Sequence, residues 1–334
     1  MNCLRLRRAH DRGGFVSVLV LILVLTLAIL LLEFSHRGQF ELGATDNARR
    51  SQQALRGADA GIACAISAIR ADPGLNRDEV RNLFDGEAEI VVGNSRCVVR
   101  VTPENGRLNV NRLVENGAIV RPRVAQFLRL IDVLNAHHRD GAPFGYGIVP
   151  AAIDWVDPDD NPTVLSFVGR ENTGAEASFY RKQDPPRVCR NAPFDTLDEL
   201  LRLRGMTPEF LNGGDETAGL RDVLTVYGDG RIDINAAPAA VIFSLSENMN
   251  ARLVEAILER RKTQRFVSLQ DLALTPGMTL KTIEDLRDLM TFGPAAEYYR
   301  VAALGIAGDV QRRVEVVLRR DGGGRVGIVQ RIEF

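Results

Sequence analysis

Nothing restricts this chain more than Phe15 to Leu32, an uncharged and almost wholly apolar run of 18 residues behind a basic leader. As a helix it rises about 1.5 Å per residue and reaches roughly 27 Å, close to the roughly 30 Å hydrocarbon core of a bilayer. The run is therefore long enough to span a membrane, and everything after it folds on one side. Arg5, Arg7, Arg8 and Arg12 precede it, while only His36 and Arg37 follow closely. That bias holds the N-terminus in the cytoplasm and sends residues beyond about 35 outside. No small-residue cleavage site follows; Leu31, Leu32, Glu33, Phe34 and Ser35 stand there instead, which argues against removal as a secretory signal.

The leader ends in Gly13 and Gly14, directly before the apolar run. This resembles a type IV prepilin signal, which implies that a prepilin peptidase cuts between Gly14 and Phe15 and methylates the new N-terminal Phe15. A plain uncleaved signal anchor would show the same apolar run. Beyond the membrane, Ala54 or Leu55, Ala58, Ile62, Cys64 or Ala65, Ile66 and Ile69 recur at three- and four-residue steps, and Asp72, Pro73 and Gly74 stop the pattern. A helix of more than fifty residues, half in lipid and half lying on a domain, favours the pilin-like alternative. The small residues Ala54, Gly57, Ala58 and Gly61 on it suit close approach either to a partner helix or to the chain's own sheet.

Glu89–Val92 and Cys97–Val101 are apolar, β-branched runs about Gly93, Asn94 and Ser95, the pattern of a hairpin. Tyr298–Ile306, Val310–Arg319 and Val326–Phe334 form a three-strand meander expected to complete the same sheet. Between them lies an internal duplication. Arg107-Leu-Asn-Val-Asn111 matches Arg231-Ile-Asp-Ile-Asn235, and each copy is followed by a helix, marked by Val124, Phe127, Leu128, Ile131 and Leu134 in the first and by Leu253, Ala256, Ile257 and Leu258 in the second. Farther on, Phe194, Thr196, Leu197, Glu199, Leu200, Gly205, Met206 and Thr207 align without a gap to Phe266, Ser268, Leu269, Asp271, Leu272, Gly277, Met278 and Thr279. A hydroxyl cap with an acid three residues later opens a short helix, and a Gly-Met-Thr turn leads to the next, which is helix-hairpin-helix chemistry. From strand motif to phenylalanine is 87 residues in copy one and 35 in copy two, so copy one holds an insertion of 52. Its polar turn at His137, His138, Arg139, Asp140 and Gly141 leads to a long irregular segment.

A net charge of -1 gives no reason to expect phosphate-backbone binding. The hairpins lack the second glycine of a Gly-x-Gly DNA contact, and Arg260, Arg261, Lys262 and Arg265 are the one modest basic group, so a membrane-anchored DNA-binding or DNA-uptake protein is the rival reading. No Cys-x-x-Cys and no cysteine–histidine zinc spacing occurs. Cys64, Cys97 and Cys189 lie on the oxidising side, and Cys64 can pair with Cys97 if the sheet packs on the helix. In the irregular segment, Asp154, Asp157, Asp159 and Asp160 cluster. They have three readings: acid–base catalysis, for which no nucleophile or histidine is at hand; turn making; or a calcium site, since oxygen ligands in a flexible loop suit a hard cation.

Phe15–Leu32 after Arg-Gly-Gly, Ile153-Asp154-Trp155, the stretch RIDINAAPAAV at 231–241 and FVSLQDL at 266–272 together resemble the minor pseudopilin K family of type II secretion systems. The resemblance implies an α+β, pilin-like fold interrupted by a large, mainly helical domain with two SAM-like units. It divides the chain into a leader (1–14), a membrane helix (15–34), a first pilin-like part (35–111), a helical insertion (112–230), a second SAM-like unit (231–293) and C-terminal strands (294–334). It further implies a non-enzymatic inner-membrane subunit with a periplasmic domain, at the tip of the pseudopilus and active in starting its assembly and supporting export of folded proteins. The implied partners are minor pseudopilins I and J, the major pseudopilin, the prepilin peptidase and the inner-membrane secretion platform, with no nucleic acid. Pseudopilins often bind calcium, for which Asp157, Asp159, Asp160 and Glu176 are the candidate ligands here. Most pilins carry Glu at the fifth position after the cut to neutralise a neighbour's amine; Leu19 stands there, which suits a subunit at a filament's end.

Overall fold

An apolar helix with no polar face must be covered by lipid or protein, and this one is covered by neither within the chain. The computed structural model describes residues 13–72, 88–137, 143–169, 171–214, 217–292 and 296–334. Residues 1–12 of the leader and 138–141 of the expected polar turn lie outside them. Helix α1 runs unbroken over Gly13–Ala71, through the cleavage position between Gly14 and Phe15. Its segment Val16–Phe34 has a mean hydropathy of 2.9 and none of it is buried.

Past the membrane segment α1 becomes one-sided. Ala54, Ala58, Ala65 and Ile69 are fully buried and Ile62 nearly so, against a five-stranded antiparallel sheet. Its strands are β1 (Ala88–Val92), β2 (Ser95–Pro103), β3 (Tyr298–Ala307), β4 (Val310–Arg320) and β5 (Val326–Glu333), and their spatial order follows the chain. The alternation of each strand decides its register. Val101, Val301 and Val316 stand opposite one another on three adjacent strands, all buried under α1, each worth about 1.5–3 kcal/mol of transfer from water. Pro103 at the end of β2 pairs with Tyr299 at the start of β3.

The small residues of α1 serve this packing. A Cβ on Gly61 would lie 2.5 Å from both the Cys97 Sγ and the Val99 Cγ2, and one on Gly57 would lie 3.1 Å from the Ser95 Oγ. From the other side, a Cβ on Gly305 would lie 1.8 Å from the Ala54 carbonyl oxygen. Of the two roles open to this stripe, contact with the chain's own sheet is the one realised. Arg50 reaches Asp309 at 2.7 Å and Arg331 reaches Asp59 at 2.8 Å, fastening the helix at the two sides of the sheet.

The helical domain inserted between β2 and β3 contains the duplication, and its two copies are built by the same device. The Asn111 amide donates to the Phe194 carbonyl and its oxygen accepts from the Phe194 N–H, at 2.9 and 2.7 Å. Asn235 holds Phe266 in the same way, at 3.0 and 2.8 Å. One asparagine thus clamps each copy's strand motif to its hairpin across a long loop. Two-residue parallel pairings close each copy, Leu108–Asn109 with Leu224–Thr225 and Ile232–Asp233 with Met290–Thr291. Leu108–Asn109, expected to belong to the pilin-like part ending at 111, therefore pairs inside the insertion. The Glu199 carboxylate accepts from the Asp195 N–H and that of Asp271 from the Val267 N–H. Only Ser268 adds the hydroxyl cap; Thr196 makes no such bond, and the following helix, Leu197–Arg202, is a 3-10 helix.

The insertion has its own core. Helix α2 (Arg121–His137) contributes Phe127, Leu130 and Ile131, and α3 (Ile148–Val156), buried along its whole length, contributes Ile153 and Trp155. Trp155 stacks on Phe194 and meets the Tyr180 ring edge-on.

Candidate functional site

Helix α3 ends among apolar side chains, and its last turn carries acids into that core. Asp154 is fully buried and Asp157 at the C-cap almost so, while Glu176, from the segment that returns over α3, is 1 % exposed. One oxygen from each lies within 4.8 Å of the other two. The Asp154 Oδ1 accepts from the Thr163 N–H at 2.8 Å, but its Oδ2, the Asp157 Oδ1 and both Glu176 oxygens have no hydrogen-bond partner. The Asn191 side-chain oxygen nearby is also buried and unpartnered. Gly174 makes room for the cluster: a Cβ there would fall 2.1 Å from the Asp154 Oδ2 and 2.7 Å from the Pro150 carbonyl oxygen.

Charge is costly here. Burial, reinforced by Asp154, Asp157 and Asp160, pushes Glu176 up to about 7. Burial, reinforced by Asp154 and Asp159, pushes Asp157 up to about 6, and burial raises Asp154 too. None of the three is in an ion pair among the described residues. Converging carboxylate oxygens with lone pairs to spare and no nitrogen or sulfur donor among them make a donor set for a hard cation such as calcium. The one thiol beside them among the described residues, Cys189, donates to the Asp154 carbonyl at 3.6 Å and is pushed up to about 11 by burial, which keeps it protonated and a poor nucleophile.

Of the ligands expected from sequence, Asp157 and Glu176 meet here. Asp159 and Asp160 stand exposed at the rim, and the Asp159 carboxylate accepts from the Asn161 N–H at 2.7 Å. Asp154 belongs in the set in their place. The sign of it in the sequence is the three-residue step from Asp154 to Asp157, one helical turn, whereas Asp159 and Asp160 fall past the helix end.

Two other expectations resolve differently. Cys64 and Cys97 are free thiols. Cys97 is buried under Gly61, its thiol pushed up to about 11 by burial and by the neighbouring Cys64, which lies on the exposed flank of the helix. The basic group of the DNA-binding rival is spent inside the second copy. Arg260 pairs with Asp271, Arg261 donates to the carbonyls of Ile234 and Ala237, Lys262 pairs with Glu259, and Arg265 with Asp233.

A second buried acid joins the insertion to the sheet. Glu104 is fully buried where β2 leaves the sheet, 2.8 Å from Arg107 and 2.8 Å from Arg300 on β3, and it accepts from the Thr225 hydroxyl. Burial alone would raise its carboxyl, but Arg300 and Arg107 outweigh that and hold it below the ordinary glutamate value.

A long apolar helix continuing onto an antiparallel sheet, with a helical domain let into that sheet, is the architecture of a pilin-like subunit. Two family models, both described as type II secretion system protein K, match residues 106–213 and 232–289. The type II secretion system protein K of Pseudomonas aeruginosa is 23% identical over 329 residues, covering 96% of this chain and 92% of that protein. The crystal structure of a GspK-GspI-GspJ complex from the enterotoxigenic Escherichia coli type 2 secretion system contains a chain of like fold, with a TM-score of 0.64 and 16% identity over 87% of this chain and 99% of that one. The chain belongs to the protein K family of type II secretion, whose members are minor pseudopilins.

Proposed function

We propose that this subunit caps the periplasmic tip of a type II secretion pseudopilus and helps to start its assembly, with Val16–Phe34 as a single-pass anchor and its N-terminus cytoplasmic. The observation that carries the reading is the pairing of an anchor helix bare on every side with a bulky domain let into one end of the sheet. The bare helix needs neighbours in the membrane, while the bulk would crowd a close-packed filament anywhere but at its end. Leu19 adds to this, since it offers no carboxylate to a subunit stacked on it. Partners of the I and J type, as in the complex from Escherichia coli, would supply the missing acid. The two clamped copies are SAM-like, helix-hairpin-helix units with a structural role, and no part of the chain acts as an enzyme. Processing between Gly14 and Phe15, with methylation of Phe15, follows from the leader. Mass spectrometry of protein extracted from membranes with active prepilin peptidase should find an N-methylated Phe15 terminus; an intact Met1 would overturn this part.

The buried acids are the place for calcium. Asp154, Asp157 and Glu176 would hold it, and the ion would neutralise them and tie the segment around Glu176 to the end of α3. Trp155, the sole tryptophan, lies between Asp154 and the Phe194 clamp, so its fluorescence should change on titration of the full chain with calcium and revert with chelator. A signal indifferent to both would remove the site.

A further inference from the structure

We propose that a groove on the inserted domain, between the start of α2 and the 163–168 loop, docks an apolar, carboxylate-bearing segment of a partner protein. The groove measures about 450 Å³ and is lined by Ile119, Arg121, Val124, Val164, Ser166 and Phe167, with Leu165 between the last pairs. Three of its walls are apolar side chains held out toward solvent: Ile119 is 41%, Val164 60% and Phe167 64% exposed.

These side chains are turned outward by well-tied backbone. Leu165 is buried as the anchor of its loop, its N–H donating to the Asn172 carbonyl at 2.8 Å, and the Val168 N–H returns to the Leu165 carbonyl at 2.9 Å. Val164 bridges Thr173, and the Thr163 N–H is held by Asp154. With Leu165 inward its neighbour Val164 points out, and Phe167 is exposed in the turn that the Val168 N–H closes on Leu165. On the facing wall, Val114–Glu115 and Ala118–Ile119 pair about a tight turn in which Asn116 and Gly117 have φ of 53° and 74°, which fixes Ile119 at the rim. A wall built this firmly keeps its apolar surface in water only at a cost, as interaction surfaces do.

Charge selects the occupant. The lining carries one charge, Arg121, which is exposed and has no ion pair or hydrogen bond among the described residues. Arg123, two residues on, is buried and already paired with Glu115. Among the described residues no acidic side chain lines the groove, and the first turn of α2 holds none. Apolar walls around a single free guanidinium fit a segment whose apolar side chains flank an aspartate or glutamate. A lipid surface is a poor match, since it rewards several cations on a convex face.

The test places photoreactive benzoylphenylalanine at Phe167 in the full membrane-anchored chain, expressed in cells carrying its own secretion genes. The expected result is a protein adduct whose cross-linked peptide holds Asp or Glu among apolar residues, retained in Arg121→Lys and reduced at least tenfold in Arg121→Glu. Both positions are exposed, and an unchanged melting temperature checks folding. In parallel, the full chain in nanodiscs should bind a labelled peptide alternating leucine and aspartate, and Arg121→Glu should reverse its preference toward the leucine–lysine version. Adducts to lipid, to a second copy of this chain or to segments without acids, no adduct at all, or peptide binding indifferent to charge would each overturn the proposal.

Discussion

Glu104 and Glu176 are both buried glutamates in the same chain, and they have opposite fates. Glu104 sits where the two halves meet and receives two guanidinium groups and a hydroxyl, so its charge is stabilised and its carboxyl lies below the usual range. Glu176 sits at the end of α3 among other acids, receives no donor, and is pushed up to about 7. The difference teaches that burial alone does not say what a carboxylate is for. The first completes a contact the chain makes with itself, and the second leaves one to be completed from outside.

The same substitution should therefore act with opposite signs at the two places. Glu104→Gln takes from the buried Arg107 its ion-pair partner and leaves Arg300 with Glu315 alone, and should destabilise the chain by about 3–5 kcal/mol, read by denaturant melts of the full protein. Glu176→Gln, in chelator, should be neutral or stabilising, because it removes an uncompensated acid; a loss comparable to that at Glu104 would break the comparison. Next in size is the ion itself. Calcium at a hundred times its dissociation constant should stabilise the wild type by about 2.7 kcal/mol and leave Glu176→Gln unmoved. Gly61→Leu, in the pilin-like half, should cost about 1–3 kcal/mol through overpacking against Cys97 and Val99, with the calcium response intact; a selective loss of partner binding without destabilisation would return the small residues to an intermolecular role.

The smallest effect is in pH. Acids whose folded values are raised bind more protons folded than unfolded, so in chelator the stability they confer is present at low pH and is lost as pH rises through about 6 for Asp157 and about 7 for Glu176. Glu104, with its value lowered, works the other way but only below the ordinary glutamate range. Melting in chelator should thus be higher at pH 5.5 than at pH 7.5, and calcium should flatten that slope. A slope unaffected by calcium would separate the acids from the ion.

Much of this was legible because it was periodic. The meander strands 298–306, 310–319 and 326–334 lie within a residue or so of β3, β4 and β5, since alternation of valine with charge admits one register. The duplicated motifs also pointed to a shared device, though not to the asparagine clamp that makes it, because Asn111 and Phe194 carry no sign of each other. Glu104 and Arg300 were invisible for the same reason, lying 196 residues apart. In the acidic segment, proximity in sequence overrated Asp159 and Asp160, and only the helix end after Val156 separates the acids that turn inward from those that do not. For the cysteines, the stripe of mixed small residues leaves open whether Cys64 or Ala65 faces the sheet; Ala65 is the buried one, and Cys64 and Cys97 stand as free thiols.

The pairing of Pro103 with Tyr299 has a consequence for how such a chain could arise or be cut down. The helical domain enters and leaves through two cross-strand neighbours, so its doorway is no wider than the tip of a hairpin. A tight turn grafted from β2 to β3 would close the sheet in its present register beneath α1 and leave a small, plain filament subunit. In that sense the inserted domain is a tenant of the pilin-like half, admitted through one turn and held to its host by Glu104.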